Sequence, residues 1–177
     1  MQSLLAHLER SRKAFLDEIA GLSAAQGTAR PTAGHWSILD VVEHIATVEI
    51  GVLDVFRKRM FEHPCLPEHK VQTAGKDQLI VDAMKDRVTR RVAPDFVKPA
   101  GRWPNPAAAA DAFDQARKDL IDLLSRESRN LRDFCAPHPS LKALDGYQWV
   151  LFVCTHTDRH GEQIRDMKAG QEFPAAV

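Results

Sequence analysis

No stretch of this chain comes near the roughly 20 consecutive apolar residues that a membrane-spanning helix needs. Residues Met1 to Arg10 are interrupted by His7, Glu9 and Arg10 and hold no apolar core of signal-peptide length. A cytoplasmic location with no membrane partner is therefore the expectation. An excess of either charge is missing too: Lys and Arg together number 24, as do Asp and Glu. Without a basic excess there is no footprint for a phosphate backbone, which argues against nucleic acid as the main partner. Cysteine is scarce. Cys65, Cys135 and Cys154 are odd in number and form no Cys-x-x-Cys, so they read as reduced thiols with neither a disulfide framework nor a redox centre.

Also absent are internal repeats, low-complexity segments and runs of alternating apolar residues bounded by hairpin turns. What remains is helical periodicity. From Ser3 to Gly21, Leu4, Leu5, Leu8, Phe15 and Ile19 recur at helical spacings. A second helix is predicted from Ser37, whose partner Asp40 three residues on forms a capping-box pattern, to about Phe61. Its stripe of Val41, His44, Ile45, Val48 and Val52 puts His44 on the buried side. A shorter helix is expected over Asp77 to Arg91. The segment from Val92 to Pro106 contains five prolines or glycines after Ala93, namely Pro94, Pro99, Gly101, Pro104 and Pro106, and reads as a long ordered loop. A third helix follows from Pro106 or Ala107 to about Ser128, and a fourth from near Asp145-Gly146-Tyr147 to near Gly170. The expected fold is all-α: one domain over residues 1–177, a bundle of four main helices with an additional short helix and a proline-rich loop between helices two and three.

The informative chemistry is in helix four. His156 and His160 stand four residues apart, a spacing that brings their Cβ atoms to about 5 to 6 Å on one helix face. With His44 from helix two they form a candidate three-histidine metal site, an arrangement that leaves a coordination position open for a small-molecule substrate. The plain alternative is that each is a core or surface histidine. The pair has the spacing of a zincin protease, but Thr157 occupies the position of the general-base glutamate. Asp40 lies one turn before His44 and either caps helix two, the role its place three after Ser37 favours, or orients an imidazole or acts as a base. Arg159 and Gln163, each three residues beyond a candidate ligand, are secondary candidates for the pocket. Glu43 and Glu49 are possible supporting groups. His35 and His138 lie in loops, and His7, His63 and His69 rank lower. Cys154 projects about 200° away from His156 and reads as a core thiol. The neighbourhoods of Trp36, Phe96 to Trp103, and Tyr147 to Trp149 are candidates for lining a substrate cavity.

Several segments together resemble a known family, the DinB/YfiT-like four-helix bundles of metal-dependent enzymes. The residues that carry the likeness are Trp36-Ser37-Ile38, Val42-Glu43-His44-Ile45, the proline-rich loop, Arg117, His138-Pro139, and His156-Thr157-Asp158-Arg159-His160-Gly161-Glu162-Gln163-Ile164. The resemblance implies one divalent cation, nickel, zinc or iron, held by His44, His156 and His160. It further permits hydrolysis or transfer dependent on a low-molecular-weight thiol; a homodimer is the expected assembly. No unambiguous general base accompanies the histidines, so a non-catalytic metal-binding or partner-binding bundle is the competing expectation.

Overall fold

Apolar spacing builds the first helix and burial selects its face. In α1 (Gln2–Ile19), Leu4, Leu8, Phe15 and Ile19 turn inward while Glu9, Arg10 and Lys13 stay outside. The computed structural model describes residues 1–32, 34–89 and 92–175. Among these, the remaining elements are α2 (Ala24–Thr28), α3 (Ile38–Lys58), α4 (Pro67–Thr73), α5 (Lys76–Lys85), α6 (Pro106–Ser125), a hairpin of β1 (Cys135–His138) and β2 (Lys142–Asp145), and α7 (Gly146–Ala169). The four long helices form a ring in which α3 packs on α6, α6 on α1, α1 on α7 and α7 on α3. The all-α, four-helix-bundle expectation therefore holds. No helix among the described residues is long and apolar enough to cross a membrane.

Side-chain caps start the long helices. Ser37 and Asp40 bond reciprocally to each other's backbone N–H at the head of α3, and Asp145 and Gln148 do the same for α7. Asn105 caps α6 ahead of Pro106. Gly146 is required by close approach: a Cβ there would lie 2.8 Å from the Leu131 carbonyl oxygen.

Two apolar clusters fill the bundle. One gathers Phe15, Ile38, Val41, Ile45, Phe113 and Ile164. The other gathers Leu8, Phe56, Met60, Leu120, Leu124 and Val150 among others. Along α3 and α6 the change from one cluster to the other falls at Glu49 and Arg117, both withdrawn from solvent. Arg117 meets Glu49 as a two-pronged fork, Nε to Oε1 at 2.5 Å and Nη2 to Oε2 at 2.8 Å. It also donates to the Leu8 carbonyl at 2.9 Å, Ser11 Oγ at 2.8 Å and Thr157 Oγ1 at 2.9 Å. One side chain of α6 thus bonds to α1, α3 and α7. Burial disfavours the guanidinium charge, but Glu49 outweighs it and the Arg117 pKa rises above its ordinary value.

Three expectations need correction. Cys65 and Cys135 form a disulfide, with Cα atoms 4.9 Å apart, so only Cys154 is a free thiol among the described residues. Strand-like pairing brings the two together: Cys65 N–H donates to the Asp133 carbonyl and Cys135 N–H to that of His63. Seventy residues separate them, which is why spacing did not reveal the pair. Secondly, a hairpin occurs where no strand was expected, with β1 and β2 antiparallel and Cys135 opposite Asp145. It is only four residues a side and has a proline inside β1, too short for alternation to register. Thirdly, the helix predicted over Asp77 to Arg91 ends at Lys85 because the Asp86 carboxylate accepts from Val88 and Thr89 N–H, an Asx turn that competes with helix. Arg91 itself lies outside the described residues. The other helix ends differ by up to three residues, and α2 and α4 are additions.

Replacing Arg117 with Met strands the Glu49 carboxylate in the interior and should cost about 3–5 kcal/mol in urea unfolding, whereas Arg117→Met combined with Glu49→Leu should recover most of that loss. Removing the disulfide by Cys65→Ala with Cys135→Ala should lower the unfolding free energy by at most about 4 kcal/mol, the chain-entropy limit for a loop of this length, read from urea midpoints with and without reductant.

Candidate metal centre

α3 and α7 are neighbours in the ring, and the buried stripe of one faces that of the other. That contact brings His44 to His156 and His160. Ring centroids are 5.1 Å apart for His44 and His156, 5.0 Å for His44 and His160, and 4.6 Å for His156 and His160. One nitrogen from each ring lies within 4.8 Å of the other two. All three side chains are buried.

Hydrogen bonds assign the tautomers. His44 Nδ1 donates to the Val97 carbonyl at 2.8 Å, since that oxygen can only accept, so His44 Nε2 carries a lone pair. His160 Nδ1 lies 2.8 Å from Gln163 Oε1, which likewise leaves its Nε2 bare. His156 Nε2 is 3.3 Å from His44 Nε2, and its Nδ1 is buried with no partner. If His156 donates from Nε2, its Nδ1 is an orphaned acceptor. If it carries the proton on Nδ1, two lone pairs face each other. Neither state satisfies the ring, and a buried polar group without a partner costs about 1–3 kcal/mol. A cation among the three nitrogens removes the conflict, so the donor set fits a divalent metal of borderline softness.

Burial also prepares the rings as ligands by opposing their protonation. It lowers the pKa of His44, lowers that of His156 well below the ordinary value, and takes His160 down to about 3. Neighbouring imidazoles act in the same direction on His156 and His160. Trp36 packs on His44 at 5.0 Å and Phe152 stacks on His156 at 5.1 Å.

The trio borders a cavity of about 1130 Å³. Trp36, Val52, Phe96, Trp149 and Phe152 contribute apolar wall, and no described lining residue is a carboxylate. Of the aromatic neighbourhoods singled out from sequence, Trp36, Phe96 and Trp149 line it. Tyr147 lies instead beneath Arg132, and Trp103 packs on the first apolar cluster.

The secondary candidates separate clearly. Asp40 caps α3 and pairs with Arg30 at 2.7 Å, so its role is structural. Gln163 holds His160, as a group that orients a ligand should. Arg159 lines the cavity and donates to the carbonyls of Met84 and Asp86, tying α7 to the end of α5. Glu49 serves Arg117. Glu43, buried on α3, accepts from the N–H groups of Ala100, Gly101 and Arg102 and from the Arg102 guanidinium. It thereby anchors the proline-rich strap whose Val97 carbonyl orients His44. That strap function had no sequence signal beyond the density of proline. Cys154 is a core thiol whose pKa burial pushes up to about 12. His35 bonds to Thr32 at the cavity rim, His138 lines the cavity, His7 pairs with Asp158, His69 accepts from Leu66 N–H, and His63 is exposed.

This architecture has known counterparts. A four-helix bundle protein, TT2238, has a crystal structure that superposes with a TM-score of 0.58 at 20% identity, covering 93% of this chain and 98% of that one. The uncharacterized protein YuaE of Bacillus subtilis (strain 168) is 24% identical over 154 residues, which is 86% of this chain and 89% of the relative. The family model of the DinB superfamily matches residues 7–164, a span that holds α3, α6 and all three clustered histidines and most of α1 and α7, and the chain belongs to that superfamily.

Proposed function

We propose that this chain is a metal-dependent enzyme that holds one divalent cation through His44, His156 and His160 and acts on a small molecule in the adjoining cavity. The observation that carries this reading is the unsatisfied His156 ring, facing the bare Nε2 of His44 and unpartnered at its own Nδ1. A nickel, zinc or iron ion bound there would act as a Lewis acid, polarising an electrophile and lowering the pKa of a coordinated water or thiol.

The chain's own groups supply the rest. Val97 and Gln163 hold two of the imidazoles in register, Trp36 and Phe152 restrict two of the rings, and Trp149 and Phe152 offer apolar surface to the body of a substrate. No carboxylate faces the cavity among the described residues, so a hydrolytic route has no acidic side chain to act as general base. Transfer to a low-molecular-weight thiol asks less of a base, because a thiol is intrinsically far more acidic than water and, bound to the cation, would release its proton to solvent at neutral pH. Thiol-dependent transfer is therefore the favoured chemistry.

Elemental analysis of protein stripped with chelator and reloaded should give one zinc or nickel per chain. His44→Ala, His156→Ala and His160→Ala should each weaken binding by more than about tenfold, and full occupancy in all three under limiting metal would disprove the site. In cobalt-loaded protein a small thiol should alter the visible spectrum. Indifference to every thiol tried, combined with turnover of an ester or amide, would favour hydrolysis.

Metal-free protein should also be acid-sensitive in a defined window. The unfolded chain protonates its histidines near pH 6.5, whereas burial holds His138 at about 4 and His160 at about 3 in the folded state. The unfolded state thus binds more protons below 6.5, so stability is complete above that pH and declines as pH falls towards 4. Urea midpoints at pH 7, 5.5 and 4.5 should fall in that order, with a shallower fall after His160→Gln.

A further inference from the structure

The hairpin carries a fourth imidazole to the cavity. His138 ends β1, and its Nδ1 accepts from the backbone N–H groups of Ser140 and Leu141, each at 3.2 Å. An imidazole nitrogen accepts only through a bare lone pair, so the proton of the neutral ring sits on Nε2. The ring leans on Trp149 with centroids 4.9 Å apart and meets Phe152 edge-on at 4.4 Å, and this packing opposes any ring flip. Among the described residues Nε2–H has no hydrogen-bond partner, while the side chain itself lines the cavity. Phe152 in turn stacks on His156, so a single aromatic ring separates His138 from the trio.

We infer that His138 is a substrate-binding residue whose Nε2–H donates a hydrogen bond to a carbonyl or carboxylate oxygen on a ligand whose apolar body lies along Trp149 and Phe152. The inference rests on the proposed function in taking this cavity as the ligand site, but it does not require the metal. His138 is not a fourth metal ligand in this arrangement, because the nitrogen available to the cavity is the protonated one. Burial and the nearby Lys76 charge hold the ring neutral, with a pKa of about 4, so it offers the same single donor throughout the neutral range. Because the donor is neutral and the cavity lining carries Arg87, Lys98 and Arg159 but no described carboxylate, an acid and an amide are both admissible ends for the ligand.

Three probes with one apolar body separate the possibilities: 4-phenylbutyrate, 4-phenylbutanamide and butylbenzene, titrated into chelator-stripped protein and followed by tryptophan fluorescence, since Trp36 and Trp149 line the cavity. His138→Phe should weaken the acid and the amide by about tenfold and leave butylbenzene unchanged, and His138→Gln, which retains a donor, should restore much of the loss. A larger loss for the acid assigns a carboxylate, and an equal loss assigns a carbonyl. Nitrogen-15 NMR of the histidine rings provides a readout independent of any ligand and should find His138 as the Nε2–H tautomer. The Nδ1–H tautomer, equal weakening of all three probes, or failure of both acid and amide to bind the wild type would overturn the role of His138. Zinc occupancy of the same proteins tests the trio separately: His138→Phe should bind zinc as the wild type does, and a wild type that binds the probes but no zinc overturns the metal reading alone.

Discussion

A guanidinium sealed in the middle of a helical bundle must find five acceptors or lose much of its solvation free energy, and Arg117 finds them on three different helices. Its fork on Glu49 sets α6 against α3, its contacts with Leu8 and Ser11 set α6 against α1, and its bond to Thr157 sets the rotation of α7. Apolar packing tolerates small rotations and slides of a helix, whereas directional bonds to a buried charge do not. Thr157 lies between His156 and His160 in sequence, so the bond that fixes α7 here acts within one turn of both imidazoles. The candidate metal centre thus adjoins the polar network, since the Arg117 bond is received at Thr157, about 80° around α7 from the direction the two histidines share.

A second constraint acts from the other side. The strap from Val92 to Pro106 has few backbone bonds of its own, and proline removes several of its donors. Glu43 compensates by gathering three successive N–H groups at its carboxylate, and the strap then delivers the Val97 carbonyl to His44. Glu43 and His44 are adjacent on α3 yet serve opposite ends of one device. The carboxylate secures the loop, and the loop fixes the tautomer of the histidine. The disulfide and hairpin do comparable work at the far wall, where Cys135 begins the strand that His138 ends.

Against these satisfied networks the trio stands apart. Arg117, Glu49, Glu43 and Gln148 are buried polar groups with partners, whereas the Nδ1 of His156 has none among the described residues. That unpartnered imidazole at the edge of a large cavity is the observation that supports the proposed binding of a cation there. The same logic distinguishes His138: its inner nitrogen is saturated by backbone, and its outer N–H is presented to the cavity.

Periodicity and capping residues alone determined four long helices, their approximate ends, the buried side of α3 and the shared face of His156 and His160, because these properties arise within a few residues along one helix. Asp40 was legible as a cap for the same reason. The fold decided what depends on distant segments: that Cys65 and Cys135 lie within bonding reach, that a short proline-containing segment pairs as a strand, that Asp86 ends α5 early, that Glu43 serves a strap rather than an imidazole, and that His138 turns inward from a loop. Each is a pairing across tens of residues, and its free energy exists only once the chain has closed around it. The convergence of His44 on the helix-four pair stands between these cases. Sequence placed each histidine on a buried face, and only the packing of α3 on α7 brought those faces together.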